Sequence, residues 1–176
     1  MRPSALWPTR SAGSWGPARD VRVLAIDHGE RRLGLAISDP SGTIATPLDV
    51  IPRAGWAKDL TALRRVIKTQ QVDEIVVGRP LTTQGTVGPQ AQAAARFAAR
   101  LRETLALPVT EVDERFSTAA AERVLREGGR RSRDRGMRDR RARRDAVAAA
   151  LLLQPYLDRR RAEALRGSDE GVMLAP

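Results

Sequence analysis

Two short β-rich runs, VRVLAID from Val21 and LGLAIS from Leu33, are separated only by the five residues from His28 to Arg32. A parallel pair needs a crossover of roughly a dozen residues, so these strands must be antiparallel neighbours. A third run, TIATPLDVI from Thr43, extends them into a meander, with Gly, Asp and Pro as turn signals between the runs. Trp56, Leu60, Leu63 and Ile67 then recur at steps of 4, 3 and 4, which predicts an amphipathic helix. After Asp73 comes EIVVG, an apolar strand of the kind buried inside parallel sheets. A second helix is expected over 90–105, with Pro89 suited to its first turn and Ala94, Phe97, Leu101 and Leu105 on one face. The strand PVTEVDE follows from Pro108. Ser117 or Thr118 can cap a third helix that carries Ala121, Val124 and Leu125 and stops at Gly128 and Gly129. The last helix is expected from Arg143 to about Leu157, with Pro155 ending or kinking it. The order β-β-β-α-β-α-β-α-α predicts an α/β fold. Its sheet is mixed and five-stranded, its last two strands arrive by right-handed crossovers, and helices lie on both faces.

At 176 residues the chain suits one domain, read here as 21–160. Residues 1–20, aperiodic and rich in Pro, Gly, Ser and Arg with Trp7 and Trp15 isolated, read as a flexible extension; 161–176 read as a loose tail. No internal repeat is present. The absence of Cys excludes a disulfide framework, a thiolate metal site and a cysteine nucleophile, and a single histidine, His28, excludes a poly-His site. With no apolar run of membrane length and no secretory h-region, the expectation is a soluble, cytoplasmic protein without a membrane partner. Lys and Arg outnumber Asp and Glu by 31 to 21, so the net charge of +10 points to an anionic partner, nucleic acid before membrane. Aromatics at 3% argue against base-stacking platforms. All the basic residues except Lys58 and Lys68 are Arg, a bias that a GC-rich genome explains as well as phosphate binding does.

Open α/β sheets place ligands at the carboxyl ends of their strands. Asp27 closes the first strand there, and Asp113 and Glu114 close the fifth. Asp145 opens the last helix, where the helix dipole favours an acid, and Asp39 ends the antiparallel second strand. Three convergent carboxylates suit hard divalent cations such as Mg²⁺ or Mn²⁺, which take oxygen ligands and support hydrolysis at phosphorus. Spacing alone leaves the bland alternative open, in which these acids are turn, surface and helix-end residues. Between Arg126 and Arg144 ten Arg stand against Glu127, Asp134 and Asp139, most of the molecule's excess charge. That stretch reads as a mobile loop able to lie along a phosphate backbone, or as a solvated charge run. Its candidate contacts are Arg130, Arg131, Arg133, Arg135, Arg138, Arg140, Arg141, Arg143 and Arg144. The loop from Gly78 to Pro89 has glycines and threonines before a helix but lacks the Lys of a P-loop, so a plain connection is an equal reading. His28 beside Asp27 reads as incidental rather than as a proton shuttle, and Trp56 as core.

AIDHGERRLGLAISD from Ala25, EIVVGRPLTTQGTVGPQA from Glu74, VDERFSTAAAERVLREGG from Val112 and RRDAVAAALLLQPYLD from Arg143 occur in order. Together they resemble the YqgF or RuvX family, relatives of the Holliday junction resolvase RuvC. The resemblance covers nearly everything between the two tails. It implies a ribonuclease H-like fold and Mg²⁺- or Mn²⁺-dependent phosphodiester cleavage. The implied role is maturation of the 16S rRNA 5′ end, with cleavage of branched DNA as the older assignment. Residue by residue, Asp27, Glu114 and Asp145 match the family's acids and are the implied catalytic and metal-ligand set. Asp113 replaces Glu114 if the strand phase is shifted by one. Arg79 and the stretch from Thr82 to Gln84 depart from the family pattern, which puts a special role for that loop in doubt. Two rival classes remain: a non-catalytic nucleic-acid-binding or ribosome-assembly factor with vestigial acids, and an actin-like kinase. The second rests on AIDHGERRLG as a phosphate loop, but one domain of this length cannot supply the second lobe. A junction resolvase implies a homodimer; an rRNA trimming enzyme can act as a monomer.

Overall fold

β1 (Val23–His28) and β2 (Arg32–Ser38) form the hairpin that their short connection demands, antiparallel, with Asp27 opposite Gly34. β3 (Ala45–Pro52) completes the meander on the outer side of β2. The helix α1 (Trp56–Gln70) crosses to β4 (Glu74–Arg79), parallel to β1, and α2 (Pro89–Thr104) crosses to β5 (Val109–Asp113), parallel to β4. The sheet order is β3-β2-β1-β4-β5, the mixed five-stranded sheet expected from the sequence. The computed structural model describes residues 21–80, 88–113 and 137–170. The extension expected over 1–20 and the third helix expected around 117–128 lie outside the described residues.

The alternation of strand residues divides the core in two. Leu24 and Ile26 of β1, Leu33 and Leu35 of β2 and Ile75 and Val77 of β4 face one side. There they pack with Leu60 and Leu63 of α1 and Phe97 and Leu101 of α2. Val23, Ala25, Ala36, Val76 and Val112 face the other side, against Ala149, Leu152, Leu153 and Leu157 of α3 (Met137–Glu170). The small residues on this second side let a single long helix lie close across the strands.

α3 departs from the sequence expectation at both ends. It begins at Met137 rather than Arg143, because Arg is a good helix former and the segment after Gly136 holds no breaker. Residues 137–144 are therefore helix, not part of a loop, and Asp145 lies in the helix interior rather than at its start. α3 also runs through Pro155 to Glu170, so the tail expected to be loose after Arg161 is helical that far. Burial of Leu152, Leu153 and Leu157 on both sides of Pro155 carries the helix past the lost N–H bond.

Candidate active site

Asp27 is the next-to-last residue of β1. Its place in the alternation turns its side chain toward α3, together with Val23 and Ala25. Directly across the hairpin lies Gly34, and a Cβ built on Gly34 would meet the Asp145 carbonyl oxygen at 2.1 Å. No residue other than glycine leaves that space, so α3 rests backbone to backbone on β2 and brings Asp145 beside Asp27. Both acids line one open cleft of about 200 Å³ between the β1–β2 turn and α3. Two of the three expected ligands are thus brought together.

Glu114 lies outside the described residues, as do Arg130, Arg131, Arg133 and Arg135. Among the described residues no cluster of three or more metal-binding side chains exists. Arg138, Arg140 and Arg141 fall on the first turns of α3, and Arg143 and Arg144 are exposed just before Asp145. Val112 of β5 faces the α3 side while Asp113, one residue on, is turned to the opposite side from Asp27.

The cleft is electrostatically uneven. Burial first, and then the neighbouring Asp145 charge, push the Asp27 carboxyl from its ordinary 3.8 up to about 6. Two arginines, Arg31 of the β1–β2 turn and Arg32 at the start of β2, line the cleft with the acids, and Nη1 of Arg32 reaches Asp145 Oδ2 at 3.3 Å. An all-oxygen pair whose charges oppose each other fits a hard divalent cation, which would relieve that repulsion. Arg32, Gly34 and the rim residue Glu30 are not singled out by the sequence patterns. A glycine inside the strand run LGLAIS is the available signal for Gly34.

His28 turns the other way. It stacks on Phe97 with ring centroids 4.8 Å apart, and burial, then Arg53, lower its pKa to about 4. It is neutral near pH 7 and on the wrong face to exchange a proton with Asp27. Trp56 sits half-buried against the same cluster, edge-on to Phe97 and covered by Arg100. The turn itself is clamped from this face: buried Asp59 accepts from Ala54 N–H and pairs with Arg53, which donates to the Gly29 carbonyl at 3.2 Å. Asp39, at the opposite end of β2, accepts the N–H groups of Thr43 and Ile44 and the Ser41 hydroxyl, so it closes a turn. Arg79 reaches Glu111 at 3.8 Å, and most of the loop that follows it, 81–87, lies outside the described residues.

A mixed sheet with its acids at the carboxyl end of β1 and on a packed helix defines a ribonuclease H-like α/β protein. RuvC from T. thermophilus, solved in complex with a Holliday junction substrate, shares this fold. Its TM-score is 0.51 at 18% identity, over 81% of this chain and 96% of that one. The family model described as RuvX, Holliday junction resolvase, matches residues 21–159, and the chain belongs to that family. A protein of Caldanaerobacter subterraneus subsp. tengcongensis named "Putative pre-16S rRNA nuclease" is 41% identical over 78% of this chain and 96% of its own length. Proteins of the same name from Moorella thermoacetica and Koribacter versatilis are 43% and 44% identical, each over 79% of this chain and over 96% and 88% of their own lengths. No helix among the described residues is long and apolar enough to cross a membrane.

Proposed function

We propose that residues 21–160 form a nuclease domain that hydrolyses phosphodiester bonds with Mg²⁺ or Mn²⁺. Its substrate is the precursor 5′ end of 16S rRNA, in the cytoplasm. The observation that carries this reading is the shared cleft of Asp27 and Asp145, in which burial and like charge hold the Asp27 carboxyl at about 6. Asp27, Asp145 and Glu114 would hold the cation; Asp113, the alternative to Glu114, is turned to the opposite side from Asp27. When bound, the ion supplies Lewis-acid stabilisation of the negative charge that develops at phosphorus. The carboxylates orient the attacking water, whose oxygen bonds to phosphorus as the bond to the leaving oxygen breaks, one water proton ending on that leaving oxygen. Arg143 and Arg144, exposed one turn or less before Asp145, and the arginines preceding them attract a polyanion that the acids alone would repel.

The test is cleavage of a precursor rRNA 5′ end and of a four-way DNA junction with Mg²⁺ or Mn²⁺, wild type against Asp27→Asn. Wild type cuts, the variant loses about a thousandfold or more in rate, and both bind the substrate comparably. Cleavage by the variant at the wild-type rate overturns the site. Binding without turnover by wild type on either substrate favours a ribosome-assembly factor instead.

A further inference from the structure

We infer that Arg32 is an exchangeable internal counter-ion: it neutralises Asp145 until a divalent cation takes that carboxylate, and it then turns to the phosphate of the substrate. The inference rests on the cation site proposed above and concerns this chain's own arginine.

The alternation of β2 sends Leu33, Leu35 and Ile37 to the α1–α2 side, and Arg32, Gly34 and Ala36 to the α3 side, where Asp27 and Asp145 lie. Arg32 is therefore rooted in a strand, two residues from the glycine on which α3 rests. It lines the same cleft as both acids. Its contact with Asp145 is a single nitrogen at 3.3 Å, with the two side chains about one-third exposed at 32% and 35%. Such a pair is weak and readily exchanged. Arg53, by contrast, is held on the other face by buried Asp59 and the Gly29 carbonyl. Arg160 contacts Glu74 at 2.9 Å with both side chains more deeply buried. Those two arginines fasten the fold, whereas Arg32 is loosely held where charge must change hands. Once a cation satisfies Asp145, the guanidinium is left beside the cleft without its anion, and the planar fork matches two oxygens of a phosphodiester.

The consequence is opposite for the two ligands. Arg32 opposes the bare cation, because it competes for Asp145, and it assists the reaction, because it binds the phosphate. The experiment is calorimetric titration of the intact chain with Mn²⁺ alone, alongside cleavage kinetics with saturating Mn²⁺. The proteins are wild type, Arg32→Gln, Arg32→Lys and Arg31→Gln. Arg32→Gln is expected to tighten Mn²⁺ about fivefold while kcat falls about a hundredfold, an amount at the lower end of the range for one lost charge-stabilising donor. Arg32→Lys keeps the charge but not the fork, so its Mn²⁺ affinity stays near wild type while part of the kcat is lost. Arg31→Gln removes the same charge from the adjacent exposed residue, which also lines the cleft, while leaving the Arg32 contact to Asp145 in place, and tightens Mn²⁺ less than about twofold. Unchanged or weaker Mn²⁺ binding by Arg32→Gln overturns the inference. So does equal tightening in the Arg31 and Arg32 variants, or full cleavage by Arg32→Gln. If wild type binds no Mn²⁺ that Asp27→Asn abolishes, the cation site itself fails, and the inference falls with it.

Discussion

One helix meets one sheet face at two acids, and the two ends of that contact are built in opposite ways. At the amino end of β4, buried Glu74 accepts the Tyr156 hydroxyl and pairs with Arg160 at 2.9 Å, both from α3. At the carboxyl end of β1, Asp27 faces a second carboxylate from the same helix, and the nearby Arg32 reaches only Asp145. Fifteen residues of α3 separate Asp145 from Arg160, about 22 Å of helix, close to the roughly 20 Å of a six-residue strand. The helix thus delivers a cation to the acid at one end of the sheet and an acid to the acid at the other. An acid answered from within the fold contributes to stability, while an acid left opposed by its neighbour costs stability until something external arrives. That difference separates an anchor from a working site on the same pair of elements.

The contrast breaks most severely at Gly34, where the working end depends on contact between backbones. The Cβ that an alanine would add at this position falls 2.1 Å from the Asp145 oxygen and 2.5 Å from its carbonyl carbon, so α3 or β2 has to move. Gly34→Ala is expected to lower stability by about 3 kcal/mol. Asp145 is displaced from Asp27, and cleavage falls about a hundredfold even at temperatures where the variant is folded. Urea unfolding and single-turnover cleavage measure the two effects. Full activity in folded Gly34→Ala would mean that the approach of α3 to β2 is not what assembles the acids.

How far the sequence reveals these two ends follows from what each depends on. Strand order, the short hairpin and the helix stripes are local patterns, and Leu60, Leu63, Phe97 and Leu101 are buried as their spacing requires. Asp27 is legible because strand ends announce themselves. Asp145 is legible only as a helix-end acid amid arginines, yet it lies inside a longer helix, because propensity and sheet packing extend α3 in both directions. Arg32 and Gly34 read as plain turn and strand residues, since their roles exist only through an element more than a hundred residues away. The Glu74 anchor escapes for the same reason: Tyr156 and Arg160 are 82 and 86 residues from it in the chain.

The anchor supplies the next test. Glu74→Ala removes the acceptor of Tyr156 and the partner of Arg160, and is expected to cost about 2 kcal/mol, less than a fully buried pair because Arg160 retains some solvent access. Cleavage per folded molecule should stay within about twofold of wild type, since the anchor lies at the far end of the strands. A drop in cleavage that tracks the lost stability would show that the two ends act as one unit and erase the distinction between them.

The smallest effect is also the most specific to the opposed acids. The folded-state pKa of Asp27 lies at about 6, above its ordinary 3.8, so between these values the folded chain binds more protons than the unfolded chain. Stability attributable to this group is therefore greatest below about pH 4, declines as pH rises through the window, and stays low above about pH 6. A shift of about two units corresponds to about 3 kcal/mol at most. In Asp27→Asn the side chain no longer titrates but remains a buried amide, so the net gain is expected to be about 1 kcal/mol near pH 8. Urea unfolding in the presence of a chelator, at about pH 8 and about pH 5, measures it as a variant advantage that shrinks on acidification. Adding Mn²⁺ at the higher pH should reverse the order, because the cation stabilises only the protein whose two carboxylates can both hold it. If Asp27→Asn shows no advantage at high pH, or one that does not shrink on acidification, the Asp27 end carries no stored repulsion, and its contrast with the Glu74 end rests on position alone.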